Sequence, residues 1–209
     1  VDNKDDITIY DPSAGWGGRI LGAMSIDDRQ IHYVGTDPNT DNYIDELGKS
    51  RYEYVADFFN EKTNGGNPFF GHRNTYDVYQ NGSEEISNNP KFQKYKGKLD
   101  LVFTSPPYFN REQYSADEAQ SFKKFPEYED WRDNFLRPTL KTASEYLKHD
   151  RYLLWNIADI GDGGGFMPLE QDSKDILAEH GLEYVETLKM LMTTMRGVKA
   201  EQVKNCCKI

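Results

Sequence analysis

Two short stretches of this chain carry residue types that could do chemistry together. The first is Ser105-Pro106-Pro107-Tyr108, which cuts off the apolar run from Leu99 to Thr104. Consecutive prolines fix φ and remove two backbone donors, so a strand that reaches them cannot continue. A hydroxyl, a rigid carbonyl-presenting turn and an aromatic ring are thereby placed at the carboxyl end of a core strand, the edge where open α/β sheets build their sites. That set suits the holding of a flat ring with an exocyclic amine. Taken alone, the same turn serves equally as a sharp reversal beside a packed tyrosine.

The second stretch is Asp11-Pro12-Ser13-Ala14-Gly15-Trp16-Gly17-Gly18, between a short β-prone run and a helix start. Glycines there let the backbone approach a ligand and turn N–H groups toward it. Asp37 follows about 20 residues beyond Gly17, at the end of the next strand, where a carboxylate can accept both hydroxyls of a ribose. A dinucleotide fingerprint fits less well. The third small residue of Gly-x-Gly-x-x-Gly is replaced by Ile20, and Asp11-Pro12 lies inside the turn. No phosphate loop of the form Gly-x-x-x-x-Gly-Lys-Ser/Thr is present.

The elements that must position these stretches follow from the apolar patterning. Strands are expected at Ile7 to Tyr10, Ile31 to Gly35, Thr75 to Tyr79, Leu99 to Thr104, Tyr152 to Ile157 and Tyr184 to Met192. Helices are expected from Arg19 to Met24 and from Asp41 to Asn60, the latter with an apolar stripe of Tyr43, Ile44, Leu47, Tyr54 and Phe58. A third runs from Glu127 to His149, burying Trp131, Phe135, Leu136, Leu140, Ala143 and Leu147 and kinked by Pro138. A fourth runs from Asp172 to His180 and is closed by Gly181. Glu61 to Phe70 and Asp162 to Gly165 read as loops, Gly82 to Lys98 as a loop with a short helix, and Phe109 to Pro126 as a polar and aromatic excursion. Strands alternating with helices give an α/β class, a mainly parallel central sheet with helices on both faces.

With 209 residues the chain is long enough for one domain with a substantial core. Its mean hydropathy of -0.82 and the lack of any long apolar run leave no helical membrane span. The acidic, polar start is not a signal peptide. The only cysteines, Cys206 and Cys207, are adjacent and offer neither a disulfide framework nor metal-ligand spacing, so no metal is expected and a reducing, cytoplasmic setting is. The net charge of -10 sits awkwardly with a polyanionic partner. Basic residues do cluster, with Lys189, Arg196, Lys199, Lys204 and Lys208 against Glu201 near the end, and four lysines between Lys91 and Lys98. Each cluster fits a phosphate-facing surface or an ordinary solvated face.

Together the two motifs resemble those of the S-adenosylmethionine-dependent amino-methyltransferases of DNA, phage-like and restriction–modification enzymes in particular. Asp11 to Arg19 resembles their cofactor loop, Gly35-Thr36-Asp37-Pro38-Asn39 their ribose-binding acid, and Ser105-Pro106-Pro107-Tyr108 their catalytic tetrapeptide, over roughly Ile7 to Ile160. The resemblance implies a Rossmann-like class I methyltransferase fold in a single domain. It implies S-adenosylmethionine as cofactor, held by Asp11, Pro12, Ala14, Gly15, Gly17, Asp37 and Pro38, with Ser83 of Asn81-Gly82-Ser83-Glu84 flanking its adenine. Double-stranded DNA would be the partner, and no metal or membrane is implied.

The same resemblance assigns roles to the catalytic turn. Ser105 Oγ and the Pro106 carbonyl would accept hydrogen bonds from the amine of a base flipped out of its duplex. Pro106 and Pro107 would hold that carbonyl rigid, and Tyr108 would stack on the base. Phe109 and Tyr114 are further candidates for the pocket, with core packing the competing role for Phe109. Serine in the first position goes more often with cytosine N4 than with adenine N6. An RNA or protein amine methyltransferase, a non-catalytic cofactor-binding module and a dehydrogenase are the competing readings. Little precedes Ile7 and no separate target-recognition region is seen, so the chain is expected to be part of a longer protein and weak or inactive on DNA alone.

Overall fold

The computed structural model describes residues 6–63, 74–111, 118–162 and 165–188. Five strands form one sheet: β1 (Ile7–Asp11), β2 (Ile31–Thr36), β3 (Thr75–Tyr79), β4 (Leu99–Thr104) and β5 (Leu147–Trp155). Their order is β3-β2-β1-β4-β5, and every pairing is parallel. The first three strands step one way from β1 and the last two step the other way. The direction therefore reverses between β1 and β4, which opens a crevice at their carboxyl ends, where such sheets bind ligands. Asp11 ends β1, and Ser105 follows directly on β4.

The expected first helix is α1 (Gly18–Met24). The helix expected over Asp41 to Asn60 is corrected. Gly48 has φ 57, a left-handed turn, and α2 runs only over Arg51–Thr63. Its start is a capping box: Ser50 Oγ accepts from Glu53 N at 3.2 Å, and Glu53 Oε2 accepts from Ser50 N at 2.7 Å. The buried face is set by Tyr52 and Ala56, while Tyr54 and Phe58 of the expected stripe face solvent. Residues 40–50 form two single 3-10 turns and a two-residue hairpin, Tyr43–Ile44 against Lys49–Ser50.

The long helix after the excursion has three parts and is preceded by a short one. These are α3 (Ser121–Lys124), α4 (Tyr128–Trp131), a π-turn (Arg132–Leu136) and α5 (Arg137–Tyr146). The π-turn lies directly before Pro138. A proline cannot donate to the fourth residue back and its ring crowds that carbonyl, so the widened turn takes up the mismatch. The expected stripe is buried from Trp131 through Ala143. Leu147 already belongs to β5. The last helix, α6 (Leu169–Glu179), ends before Gly181 at φ 82. The sixth strand expected from Tyr184 is not formed over 184–188, and 189–192 lie outside the described residues, as do most of the loop expected over 61–70 and the middle of that at 162–165.

Alternate strand residues feed opposite faces. Ile31 and Tyr33 pack with Ile20, Met24, Tyr52 and Ala56 beneath α1 and α2. Tyr10, Val34 and Val102 pack on the other side with Phe92, Ala143 and Tyr146. A third cluster, centred on Trp131, Leu136, Leu140, Leu169 and Ile176, joins α4 to α6. On the α1–α2 side, β4 and β5 keep an open apolar strip, with Phe103, Tyr152 and Leu154 exposed in register.

At the opposite end of the sheet, Asp100 is buried and accepts from Thr8 N at 3.0 Å and Lys148 Nζ at 2.7 Å, with Arg151 Nε at 3.4 Å. Burial pushes its carboxyl up, but Lys148, the Thr8 amide and Arg151 outweigh that, and its pKa ends below the ordinary aspartate range. Its stabilising contribution is therefore present at neutral pH and lost as pH falls through that depressed value. Asp100→Ala is expected to lower stability by about 1–3 kcal/mol, the cost of orphaning a buried amide beside two half-exposed cations. Urea unfolding should show this difference at pH 7 and a smaller one in acid.

Candidate active site at the β1–β4 crevice

The crevice is organised by Asp11. Its carboxylate is fully buried and accepts from Arg19 Nε, Tyr33 Oη and Thr104 Oγ1, each at 2.7 Å, and from Ser13 N at 3.2 Å. Arg19 also donates to the Ser13 carbonyl. One side chain thus ties the Gly-rich loop to β2 through Tyr33, to β4 through Thr104 and to α1 through Arg19. Asp11 was expected to touch a cofactor. With its oxygens engaged by these donors, it instead shapes the loop that would.

The loop is fixed from below as well. Ala14 N donates to the Thr36 carbonyl at 2.9 Å, and Thr36 Oγ1 donates to the Pro12 carbonyl at 2.8 Å. Gly15, at φ 56, donates its N–H to Asp37 Oδ2 at 2.8 Å and accepts from Tyr52 Oη at 2.6 Å. Gly17, at φ 81, turns the chain into α1 under Tyr52; a Cβ there would meet Tyr52 Cδ1 and Ile20 Cγ2, each at 3.5 Å. Such backbone angles are open to glycine and strained for other residues.

A cavity of about 430 Å³ lies over this loop. Its wall includes Pro12, Ala14, Gly15, Asp37, Pro38 and Ser83 of the expected cofactor set, and Ser105 and Pro107 of the expected catalytic turn. The tertiary fold therefore brings the two motifs to one cavity. Asp11, Gly17, Pro106 and Tyr108 are adjacent in sequence to these lining residues but are not themselves part of the lining. Asp37 is nearly buried, and its second oxygen accepts from Asn39 N at 2.9 Å. A carboxylate has about four lone-pair sites, so acceptor capacity is left for a ligand hydroxyl. Burial pushes the Asp37 carboxyl above its ordinary range, against the hydrogen bonds from the Asn39 and Gly15 amides and the Tyr52 hydroxyl that pull it down.

On the catalytic side, Asn156 supplies what the sequence did not reveal. Its N–H donates to the Thr104 carbonyl at 2.9 Å, continuing the β4–β5 ladder, and its Nδ2 donates to Ser105 Oγ at 3.3 Å. Tyr108 Oη donates to the Asn156 carbonyl at 3.1 Å. The only forewarning in the sequence is that Asn156 follows the strand next to β4, on the same sheet edge. Tyr108 is half-buried and packs against the cluster of Phe109 and Trp131. Phe109, at φ 47, is core, edge-on to Tyr128 and Trp131 at 5.7 Å each. Pro106 is buried, and no described donor reaches its carbonyl. Tyr114 lies outside the described residues.

The far wall comes from the excursion before α4, with Gln120, Ser121 and Phe122, and from Glu84 after β3. Lys124 bridges these parts, reaching Glu84 Oε1 at 2.8 Å and Glu85 Oε1 at 2.9 Å. Ser83 Oγ is 3.0 Å from Thr139 Oγ1, and Trp131 Nε1 donates to Ser121 Oγ at 3.0 Å. Of the expected basic surface at Lys91 to Lys98, Lys94 pairs with Asp77 and Lys96 with Glu145; the Lys189 to Ile209 cluster lies outside the described residues. Among the described residues no cluster of His, Cys, Asp and Glu could hold a metal, and no helix is long and apolar enough to cross a membrane.

No protein-family model matches the chain, and no curated protein is significantly similar to it. Among solved structures, it is similar to the cyclopropane synthase MmaA2 from Mycobacterium tuberculosis at 13% identity and a TM-score of 0.47, over 87% of this chain and 56% of that one. The chain thus spans little more than half the length of that protein. The antibiotic-resistance methyltransferase Kmr matches at 14% identity and a TM-score of 0.46, over 91% of this chain and 84% of that one. A short-chain dehydrogenase from Oenococcus oeni PSU-1 matches at 11% identity and a TM-score of 0.49, over 85% of this chain and 74% of that one. Methyltransferases and a dehydrogenase stand side by side, so the likeness does not choose a chemistry.

Proposed function

We propose that this chain is an S-adenosylmethionine-dependent methyltransferase acting on the exocyclic amine of a base in DNA, with cytosine N4 favoured over adenine N6. The carrying observation is that the Gly-rich loop, Asp37, Ser105 and Pro107 border one cavity. The donor set suits the cofactor. Asp37 has acceptor capacity for a ribose diol, and Ala14, Gly15, Pro38 and Ser83 line the adjoining wall. When bound, S-adenosylmethionine supplies a methyl group already activated by its sulfonium, so the protein's task is alignment.

Ser105 supplies that alignment. Its Oγ has two lone pairs, of which one takes the Asn156 amide and the other can accept an amine proton. A Pro106 carbonyl without a described donor is the second acceptor, held by the fixed φ of two prolines. Two acceptors on one amine draw its nitrogen toward tetrahedral geometry and aim its lone pair at the methyl donor. The dehydrogenase reading is weakened by Ile20 in place of the third small residue and by an Asp11 that ties the loop to two strands.

Calorimetry with S-adenosylhomocysteine, followed by methyl transfer to unmethylated DNA and nucleoside mass spectrometry, tests this reading. N4-methylcytosine is the expected product. Binding of NADH in place of S-adenosylhomocysteine would overturn it, and methylation of RNA or protein alone would move the substrate. Ser105→Ala should lower the turnover number about 10- to 100-fold, the worth of one or two hydrogen bonds, with S-adenosylhomocysteine affinity unchanged.

A further inference from the structure

We infer that Tyr52, in the first turn of α2, is the residue that positions the cavity groups Gly15, Asp37 and Asn42 toward a cofactor, an inference that rests on reading the cavity as a cofactor site. Tyr52 is not part of the cavity lining, whereas the three residues it holds are. They come from separate parts of the chain: Gly15 from the loop after β1, Asp37 from the end of β2 and Asn42 from the 3-10 turn beyond it. The capping box of Ser50 and Glu53 sets the start of α2 and with it the place of Tyr52. Its ring is buried with Ile20, Tyr33 and Ala56 and underlies Gly17. Its hydroxyl donates to the Gly15 carbonyl at 2.6 Å and accepts from Asn42 Nδ2 at 2.6 Å.

A phenol has one proton to give. Burial and the nearby Asp37 carboxylate raise the Tyr52 pKa far above its ordinary value, so that proton stays in place. With the proton directed at Gly15, the phenol oxygen can only accept from Asn42, and this fixes which end of the Asn42 amide faces it. The Gly15 peptide is then gripped at both ends, its carbonyl by Tyr52 and its N–H by Asp37 Oδ2 at 2.8 Å. The hydroxyl also hydrogen-bonds to Asp37 and draws its pKa down. Tyr52, Gly15 and Asp37 thus close a ring of hydrogen bonds that joins α2, the Gly-rich loop and β2. The carboxylate and the loop backbone are locked to each other before a ligand arrives, which leaves little ordering to be done on binding.

The test is calorimetry with S-adenosylhomocysteine at stepped pH on the whole chain, as wild type, Tyr52→Phe, Asp37→Asn and the double variant. Tyr52→Phe keeps the buried ring and removes only the hydroxyl, and it should weaken binding about 10-fold at neutral pH. The other charged groups facing Asp37 are Asp11 on β1 and Arg19 on α1, the Tyr43 hydroxyl reaches the Asp37 carbonyl at 3.5 Å, and Glu84 lines the same cavity. All of these stay in Tyr52→Phe. Loss of the Tyr52 donor therefore moves the Asp37 carboxyl up, and the acid midpoint of the affinity should move to higher pH with it. In the Asp37→Asn background that movement should vanish, and the two losses should combine to less than their product. Asn42→Ala, which removes the partner on the other side of the hydroxyl, should move the midpoint in the same direction by less. The inference is overturned if neither Tyr52→Phe nor Asn42→Ala moves the midpoint, or if the Tyr52→Phe loss is the same at every pH and with either residue at position 37, as a purely structural role would give. If the wild type binds NADH and not S-adenosylhomocysteine, the methyltransferase reading falls, and the same proteins decide the role of Tyr52 with NADH, which carries ribose diols of its own. Binding of neither ligand overturns both.

Discussion

Replacing Asp11 with alanine is expected to lower stability by about 3–5 kcal/mol, the range for breaking a buried charge pair by removing one partner. The side chain is fully buried and receives the Arg19 guanidinium, two hydroxyls and an amide. Without it, Arg19 keeps its charge with its carboxylate partner gone, and Tyr33 and Thr104 are left as buried hydroxyls without that acceptor. The loss should extend to function, because these contacts hold the Gly-rich loop against β2 and β4. S-adenosylhomocysteine binding should become undetectable by calorimetry at temperatures where the variant is still folded by circular dichroism. Asp11→Asn offers the control. It is of nearly the same size but has one oxygen where the carboxylate has two, so it should be destabilised less and still bind weakly. Wild-type stability in Asp11→Ala would refute the hub role.

Asp37→Asn tests the cofactor side, and its signature is in pH. The substitution should reduce S-adenosylhomocysteine affinity about 100-fold at neutral pH, the loss of a charged acceptor worth about 1.5–3 kcal/mol. In the wild type, burial holds the Asp37 carboxyl above its ordinary value, so affinity should fall with acidification at higher pH than for a solvated aspartate near about 3.9. For stability the sign is opposite. A raised folded-state pKa favours the folded protein when the group is protonated, so that contribution is complete below the unfolded pKa and is lost as pH rises through the folded one. Between those two values, the ligand-free protein should lose stability relative to Asp37→Asn while its affinity for S-adenosylhomocysteine rises. Chemical unfolding and calorimetry at stepped pH measure the two trends. Parallel trends would refute a buried, ligand-facing carboxylate.

Several errors in the sequence reading trace to short-range signals that were present. The capping box Ser50-x-x-Glu53 marks the true start of α2. The apolar stripe through Tyr43, Ile44, Leu47, Tyr54 and Phe58 places that start too early, and the buried face is that of Tyr52 and Ala56. Spacing of 3.6 residues fixes which residues share a face, but not which of two aromatic faces turns inward; that was decided by Tyr52 reaching the Gly15 carbonyl. Pro138 was a sound marker of a helix irregularity, expressed as a π-turn one step upstream.

By itself, the sequence determined the alternation of strands and helices, both turns at the strand ends and the acid at the end of the second strand. These are local properties: proline and glycine fix backbone angles, and β-branched runs favour strands, whatever surrounds them. Only the tertiary structure decided how the motifs meet. The reversal of strand order between β1 and β4 brings Ser105 to the cavity that Asp37 lines, and no local pattern encodes that meeting. It also decided which member of each motif faces the cavity. Asp11 was drawn inward by Thr104, 93 residues away in sequence, and Tyr108 by Asn156, 48 away. A buried carboxylate must gather donors from wherever the fold supplies them, so its role follows from long-range contacts and not from its place in a motif.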